Sequence, residues 1–185
     1  MKRFKRCAQV RSLLAVLAMA ASVASGAASA QTAPRGVASA GDGARITVGL
    51  GLDRLRDRSG DAAGASILWA SAPFGARGNW RWRLGGMISA RQDYWIGGGI
   101  SFEQRLGNGP WYVEAGYAPG VFSRADAPVG GKEVTAPSFL SHVAIGYRLG
   151  GGADVSVVLS HRSSGRLTSN GAISEELHLR FGVPF

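Results

Sequence analysis

From residue 45 onward, apolar side chains recur at every second position. Ile46, Val48, Leu50 and Leu52 alternate with Thr47, Gly49 and Gly51. Trp80, Trp82, Leu84, Gly86 and Ile88 alternate with Arg81, Arg83 and Gly85. Ile96, Gly98, Ile100 and Phe102 oppose Gly97, Gly99, Ser101 and Glu103, and Trp111, Val113, Ala115 and Tyr117 oppose Tyr112, Glu114 and Gly116. Phe139, Ser141, Val143, Ile145, Tyr147 and Leu149 face away from His142, Ala144, Gly146 and Arg148. Val155, Val157 and Leu159 oppose Asp154, Ser156 and Val158; at the end, Leu177, Leu179, Phe181, Val183 and Phe185 oppose Glu176, His178, Arg180 and Gly182. Successive side chains of a strand point to opposite faces, so a period of two predicts strands. An eighth strand fits residues 62–72 (AAGASILWASA), whose facing the pattern leaves ambiguous.

The connections alternate in character. Pro73–Asn79, Leu106–Pro110 and Gly150–Gly152 read as short or Gly-rich turns; Arg54–Asp61 and Arg124–Pro137 are more polar, and the second is longer. An even strand number, strands of about ten residues, and short turns at one end with longer loops at the other predict an all-β fold, an eight-stranded antiparallel transmembrane β-barrel. The two faces decide between a soluble β-sandwich and a membrane barrel, with a secreted soluble barrel as the alternative. One face is almost wholly apolar along every strand. The other holds Arg81, Arg83, Glu103, Arg105, Glu114, Arg148 and Arg180 among glycines. Apolar outside and polar inside is the membrane arrangement. The five Trp and the terminal Phe185 suit interfacial girdles. Side chains fill the bore of so narrow a barrel, so the inner Arg and Glu should form a buried salt-bridge network rather than line a pore.

The N-terminus changes the reading of the charge. Lys2, Arg3, Lys5, Arg6 and Arg11 precede an apolar run from Leu13 to Val23, and Ala28-Ser29-Ala30 follows. This is the form of a secretory signal peptide, and the run is shorter than the ~20 residues of a membrane helix. The expected organisation is a signal peptide at 1–30, a flexible N-terminal segment at 31–44 and an outer-membrane β-barrel at 45–185. Removing 1–30 takes five of the 21 basic residues and none of the 12 acidic ones, so the net charge falls from +9 to +4. The remaining charges are scattered rather than gathered in a basic stripe, which argues against nucleic acid as a partner. Cys7, the only cysteine, leaves with the leader. No cluster of His, Cys and acidic residues has metal-ligand spacing.

One constellation carries chemistry. His161 and Ser163 continue the outer face of the seventh strand, and Glu175 opens the outer face of the eighth. His142 and His178 have the opposite parity and read as interior polar residues. At ~3.3 Å per residue and a tilt of about 40°, the ten residues from Glu175 to Phe185 cover roughly 25 Å, the height of the apolar band. Ser163 is equally far along its own strand, so the three groups should meet at the outer leaflet's interface. A serine hydroxyl is a weak nucleophile alone; a histidine that takes its proton, oriented by an acid, activates it. The same residues could instead mark where the apolar band stops.

The segment SHRSSGRLTSNGAISEELHLRFGVPF, residues 160–185, resembles the C-terminal hairpin of the outer-membrane lipid A 3-O-deacylases of the PagL type. The resemblance rests on the His161-x-Ser163 pair and on Glu175 ten residues before the chain end. It implies an eight-stranded barrel and a serine esterase that removes the 3-O-linked 3-hydroxyacyl chain from lipid A of lipopolysaccharide in the outer leaflet. Ser163 would be the nucleophile, His161 the general base and Glu175 the group that orients it, with no cofactor and no metal. The family usually has Asn directly after the serine, where this chain has Ser164, and a second Asn in the following loop, for which Asn170 is the nearest position. Ser164, Asn170 and the main-chain N–H of Gly165 are therefore the oxyanion candidates. Arg162 and Arg166 are read as rim residues that could meet lipid A phosphates. A non-enzymatic barrel serving structure or adhesion, and another lipid hydrolase or acyltransferase, are the alternatives.

Overall fold

The alternation is realised as eight strands. The computed structural model describes residues 43–53, 62–124, 134–164 and 173–185. The strands are β1 (Arg45–Asp53), β2 (Ala62–Ala70), β3 (Trp80–Ser89), β4 (Tyr94–Arg105), β5 (Trp111–Arg124), β6 (Val134–Arg148), β7 (Asp154–Ser163) and β8 (Ser174–Pro184). Each pairs antiparallel with its sequence neighbour, and β8 returns to β1 to close the barrel. Closure runs the length of β1, from Arg45 opposite Pro184 to Asp53 opposite Glu176. Closure leaves no edge strand, the condition for crossing hydrocarbon with strands.

Residues 1–42, the expected leader and most of the expected N-terminal segment, lie outside the described residues. So do 54–61 and 125–133, within two of the expected longer loops. At that same end β3 and β4 are joined by a turn of only four residues, 90–93. At the short-turn end, Gly151 and Gly152 take φ of 76° and 85°, which glycine adopts without a Cβ clash.

The faces are inside out relative to a soluble sheet. Trp82, Leu84, Ile96, Val143 and Leu179 are among the most exposed side chains of the barrel wall, and they form its lipid-facing surface. The facing of β2, ambiguous in sequence, is settled by its ladders: Ile67 and Trp69 point out, Ser66 and Leu68 in. Four of the five Trp face outward at the short-turn end. There Trp80 packs edge-on against Phe102 and Trp111 against Tyr147, while Trp82 stacks on Phe74. Aromatics of this kind anchor a barrel at the membrane interface.

Inside, the expected ion network is present. Arg45 meets Asp154 at 2.8 Å and Glu103 at 3.5 Å; Glu103 also contacts Arg81 and Arg148. Tyr112 donates its hydroxyl to Asp154 at 2.9 Å. Further along, Glu114 bridges Arg83 and His142. Charges removed from water need such partners, because an isolated buried ion is strongly destabilising. Arg105 departs from the expectation. It is the last residue of β4 and is exposed at the rim rather than enclosed.

Two further departures concern the long-loop end of the bore. Part of the interior there is apolar: Met87, Trp95, Ala118, Phe122 and Leu140 form one buried cluster beside the polar groups. Trp95 thus belongs to a plug and not to a girdle. Its ring lies over Gly97 and Gly120, where an added Cβ would come within 2.4 Å and 2.7 Å of it. The two glycines make room for the indole, which fills the bore that the smaller ionic groups leave.

Candidate active site

His161 and Ser163 sit at the end of β7 and Glu175 at the start of β8, beside the connection 164–173. Alternation turns all three outward: His161 is exposed and Ser163 and Glu175 are half-buried. Register supplies what parity could not. His161 and Glu175 are direct partners across the β7–β8 ladder. Directly opposed residues hold their Cβ atoms about 4.5–5.5 Å apart. Ser163 lies two positions along the same strand, so His161 stands between the serine and the acid. That order is the one proton transfer from a hydroxyl to an oriented imidazole requires.

The neighbours of the row are also defined. Ser141 on β6 is the partner of His161 on its other side, is exposed, and donates its hydroxyl to the His161 carbonyl oxygen at 3.3 Å. Phe139 is the partner of Ser163, and its ring stacks on Tyr117 at 5.9 Å and 13°. Parity alone turned Ser141 and Phe139 outward. Their nearness to His161 and Ser163 depends on the β6–β7 register, which the sequence does not display.

One sequence expectation fails here. Arg162 is not at the rim to meet phosphates. It lies between His161 and Ser163, so alternation turns it into the bore, where it is 4% exposed and pairs with Glu176 at 3.2 Å. Ser164, an oxyanion candidate just past β7, is also buried. Gly165, Arg166 and Asn170 lie outside the described residues.

A second grouping of the same chemical types exists inside the barrel. His178 Nε2 is 2.9 Å from Asp53 Oδ1, and its Nδ1 is 3.3 Å from Ser66 Oγ. All three are buried. They tie β1, β2 and β8 together from within, and no lipid reaches them through the closed wall. Exposure, not composition, separates this grouping from the one on the outer face. Among the described residues, no group of three or more His, Cys, Asp or Glu could hold a metal ion.

The sequence profile of the lipid A 3-O-deacylase (PagL) family matches residues 61–184. The chain belongs to that family. Its membership accounts for the barrel, for an outer-membrane location and for the hydrolase chemistry that the outer row suggests. No curated relative matches the chain. Among solved structures, the outer membrane enzyme PagL shares 16% identity at a TM-score of 0.57, covering 76% of this chain and 99% of that one. Neisserial surface protein A is also similar, with 14% identity, a TM-score of 0.60, and 77% and 97% coverage. At such identities the likeness concerns the fold; the family match extends through the β7–β8 hairpin that carries His161, Ser163 and Glu175.

Proposed function

We propose that this protein is a serine esterase that removes the 3-O-linked 3-hydroxyacyl chain from lipid A of lipopolysaccharide, working at the outer leaflet of the outer membrane. Residues 1–30 serve as its export signal. The observation that carries the reading is the pairing of His161 with Glu175 on the lipid-facing wall, with Ser163 two positions away, in a chain of the deacylase family.

In the reaction, Ser163 Oγ attacks the ester carbonyl carbon at the 3 position of the glucosamine as His161 takes the hydroxyl proton. Glu175 accepts a hydrogen bond from the imidazole and stabilises its charged form. The carbonyl oxygen becomes an oxyanion that needs N–H donors. Collapse of the tetrahedral intermediate breaks the C–O bond to the sugar, and His161 returns the proton to the departing 3-hydroxyl. Water then attacks the acyl-serine as His161 takes its proton, which passes to Ser163 Oγ. A 3-hydroxy fatty acid leaves and the enzyme is restored. A site on the outer wall suits a substrate that never leaves the membrane, since the ester reaches Ser163 by lateral diffusion.

Mass spectrometry of lipid A from cells with and without the protein tests the reading. Loss of one 3-hydroxyacyl chain, abolished by Ser163→Ala, supports it. Gain of a chain would mean acyl transfer, and an unchanged lipid A would mean a barrel with no such activity.

A further inference from the structure

We infer that Arg162 and Glu176 act as positioning residues for the outer row, a buried clamp that holds the ends of β7 and β8 in the register the chemistry needs. The inference rests on the function proposed above, but its physical part does not.

The three outward groups occupy the last two outward positions of β7 and the first of β8, where the ladder runs out into the connection between them. Strand ends open more readily than strand centres. A slip of one residue there would turn His161 and Ser163 into the bore and Arg162 out. The final rungs of such a ladder need a tie that packing against lipid does not supply. The inner face does. Arg162 lies between His161 and Ser163, and Glu176 directly follows Glu175, so alternation sends both into the bore beneath the outer row. Arg162 Nη2 lies 3.2 Å from Glu176 Oε1, with the side chains only 5% and 1% exposed. The Arg162 guanidinium also sits 4.1 Å from the centre of the Phe122 ring. Phe122 belongs to the Trp95 plug, and Leu140 is the ladder partner of Arg162 on β6. One side chain thus ties β7 forward to β8 and back to β5 through a packed core. Low surrounding dielectric strengthens a cation held this way.

The ion pair is diagonal across the ladder. Arg162 is the register partner of Ser174, and Glu176 that of Ser160. His161 and Glu175 are the rung between these two. A diagonal tie across one rung resists both slip and fraying at that rung.

The test uses the full-length protein purified in detergent micelles, with lipid A as substrate. Arg162→Met is expected to lower kcat about ten- to a hundredfold, the scale of a small misplacement of reacting groups, at unchanged KM. Glu176→Gln should lower it less, and the exchanged pair Arg162→Glu with Glu176→Arg should recover most of the rate. Amide hydrogen exchange should quicken at residues 160–163 and 174–177 in Arg162→Met and stay unchanged in β1 and β2. Arg83→Met, which breaks an equally enclosed ion pair elsewhere in the bore, should leave both kcat and exchange at the hairpin end untouched. The clamp is overturned if Arg162→Met keeps wild-type exchange at these residues, or if Arg83→Met loses as much kcat. Should Ser163→Ala retain full activity, the esterase reading falls and the positioning role with it, while exchange still decides whether the clamp holds the strand ends.

Discussion

His161 and Glu175 stand directly opposite each other across the β7–β8 ladder, both turned to the outside of the barrel. This relationship is unusual for a lipid-facing wall, whose other outward rungs on the same hairpin are Val155 with Phe181, Val157 with Leu179 and Leu159 with Leu177. Polar pairs are costly in hydrocarbon unless they sit near its edge, and this pair sits at the strand ends.

If the pair activates Ser163, then Ser163→Ala and His161→Ala should each lower kcat by on the order of 10⁴ or more, since triad members act as a unit. Glu175→Gln should lose about 10³ to 10⁴, because the amide no longer stabilises the charged imidazole. All three variants should fold normally. Release of 3-hydroxy fatty acid from lipid A by the purified variants measures the effect. A Ser163→Ala protein with wild-type turnover would remove the serine from the mechanism.

The lipid-facing assignment of the wall has its own check. Leu179 is 63% exposed midway along β8. In water, Leu179→Arg would be nearly neutral. In a bilayer it should destabilise the barrel by about 2–4 kcal/mol. Denaturant unfolding from lipid vesicles gives the value, and a change below a few tenths of a kcal/mol would contradict the membrane-facing wall.

Arg45 and Asp154 are both 2% exposed and 2.8 Å apart inside the bore. Arg45→Met leaves the Asp154 carboxylate with the Tyr112 hydroxyl but without its cation, so the barrel should lose about 3–5 kcal/mol. Replacing both, Arg45→Met with Asp154→Leu, should recover much of this loss, because no lone charge remains. The same vesicle unfolding experiment distinguishes the two variants; equal losses would mean that the packing, not the charge, carries the effect.

The plug and the girdle should respond differently to loss of an indole. Trp95→Ala empties a filled bore and should cost about 3–5 kcal/mol. Trp82→Ala removes an exposed ring stacked on Phe74 and should cost nearer 1 kcal/mol. Tryptophan fluorescence quenching by brominated lipid adds a second readout: Trp82 should contribute to it and Trp95 should not.

The sequence by itself determined the strands and the facing of all of them but β2, because both follow from a repeat of two that can be counted along one chain. Parity also sent His161, Ser163 and Glu175 to one face. Where composition was weighed against that parity, parity won. Arg162 is a charged residue near a rim, yet it points inward because its neighbours point out. Trp95 is a tryptophan in a barrel, yet it fills the bore for the same reason. Only the closed barrel decided which residue meets which across a ladder. It made His161 the partner of Glu175 and of Ser141, set Phe139 beside Ser163, and drew Arg162 onto Phe122 and Glu176. Register and long-range packing arise from how all eight strands stagger and close together, and no single strand's pattern contains that information.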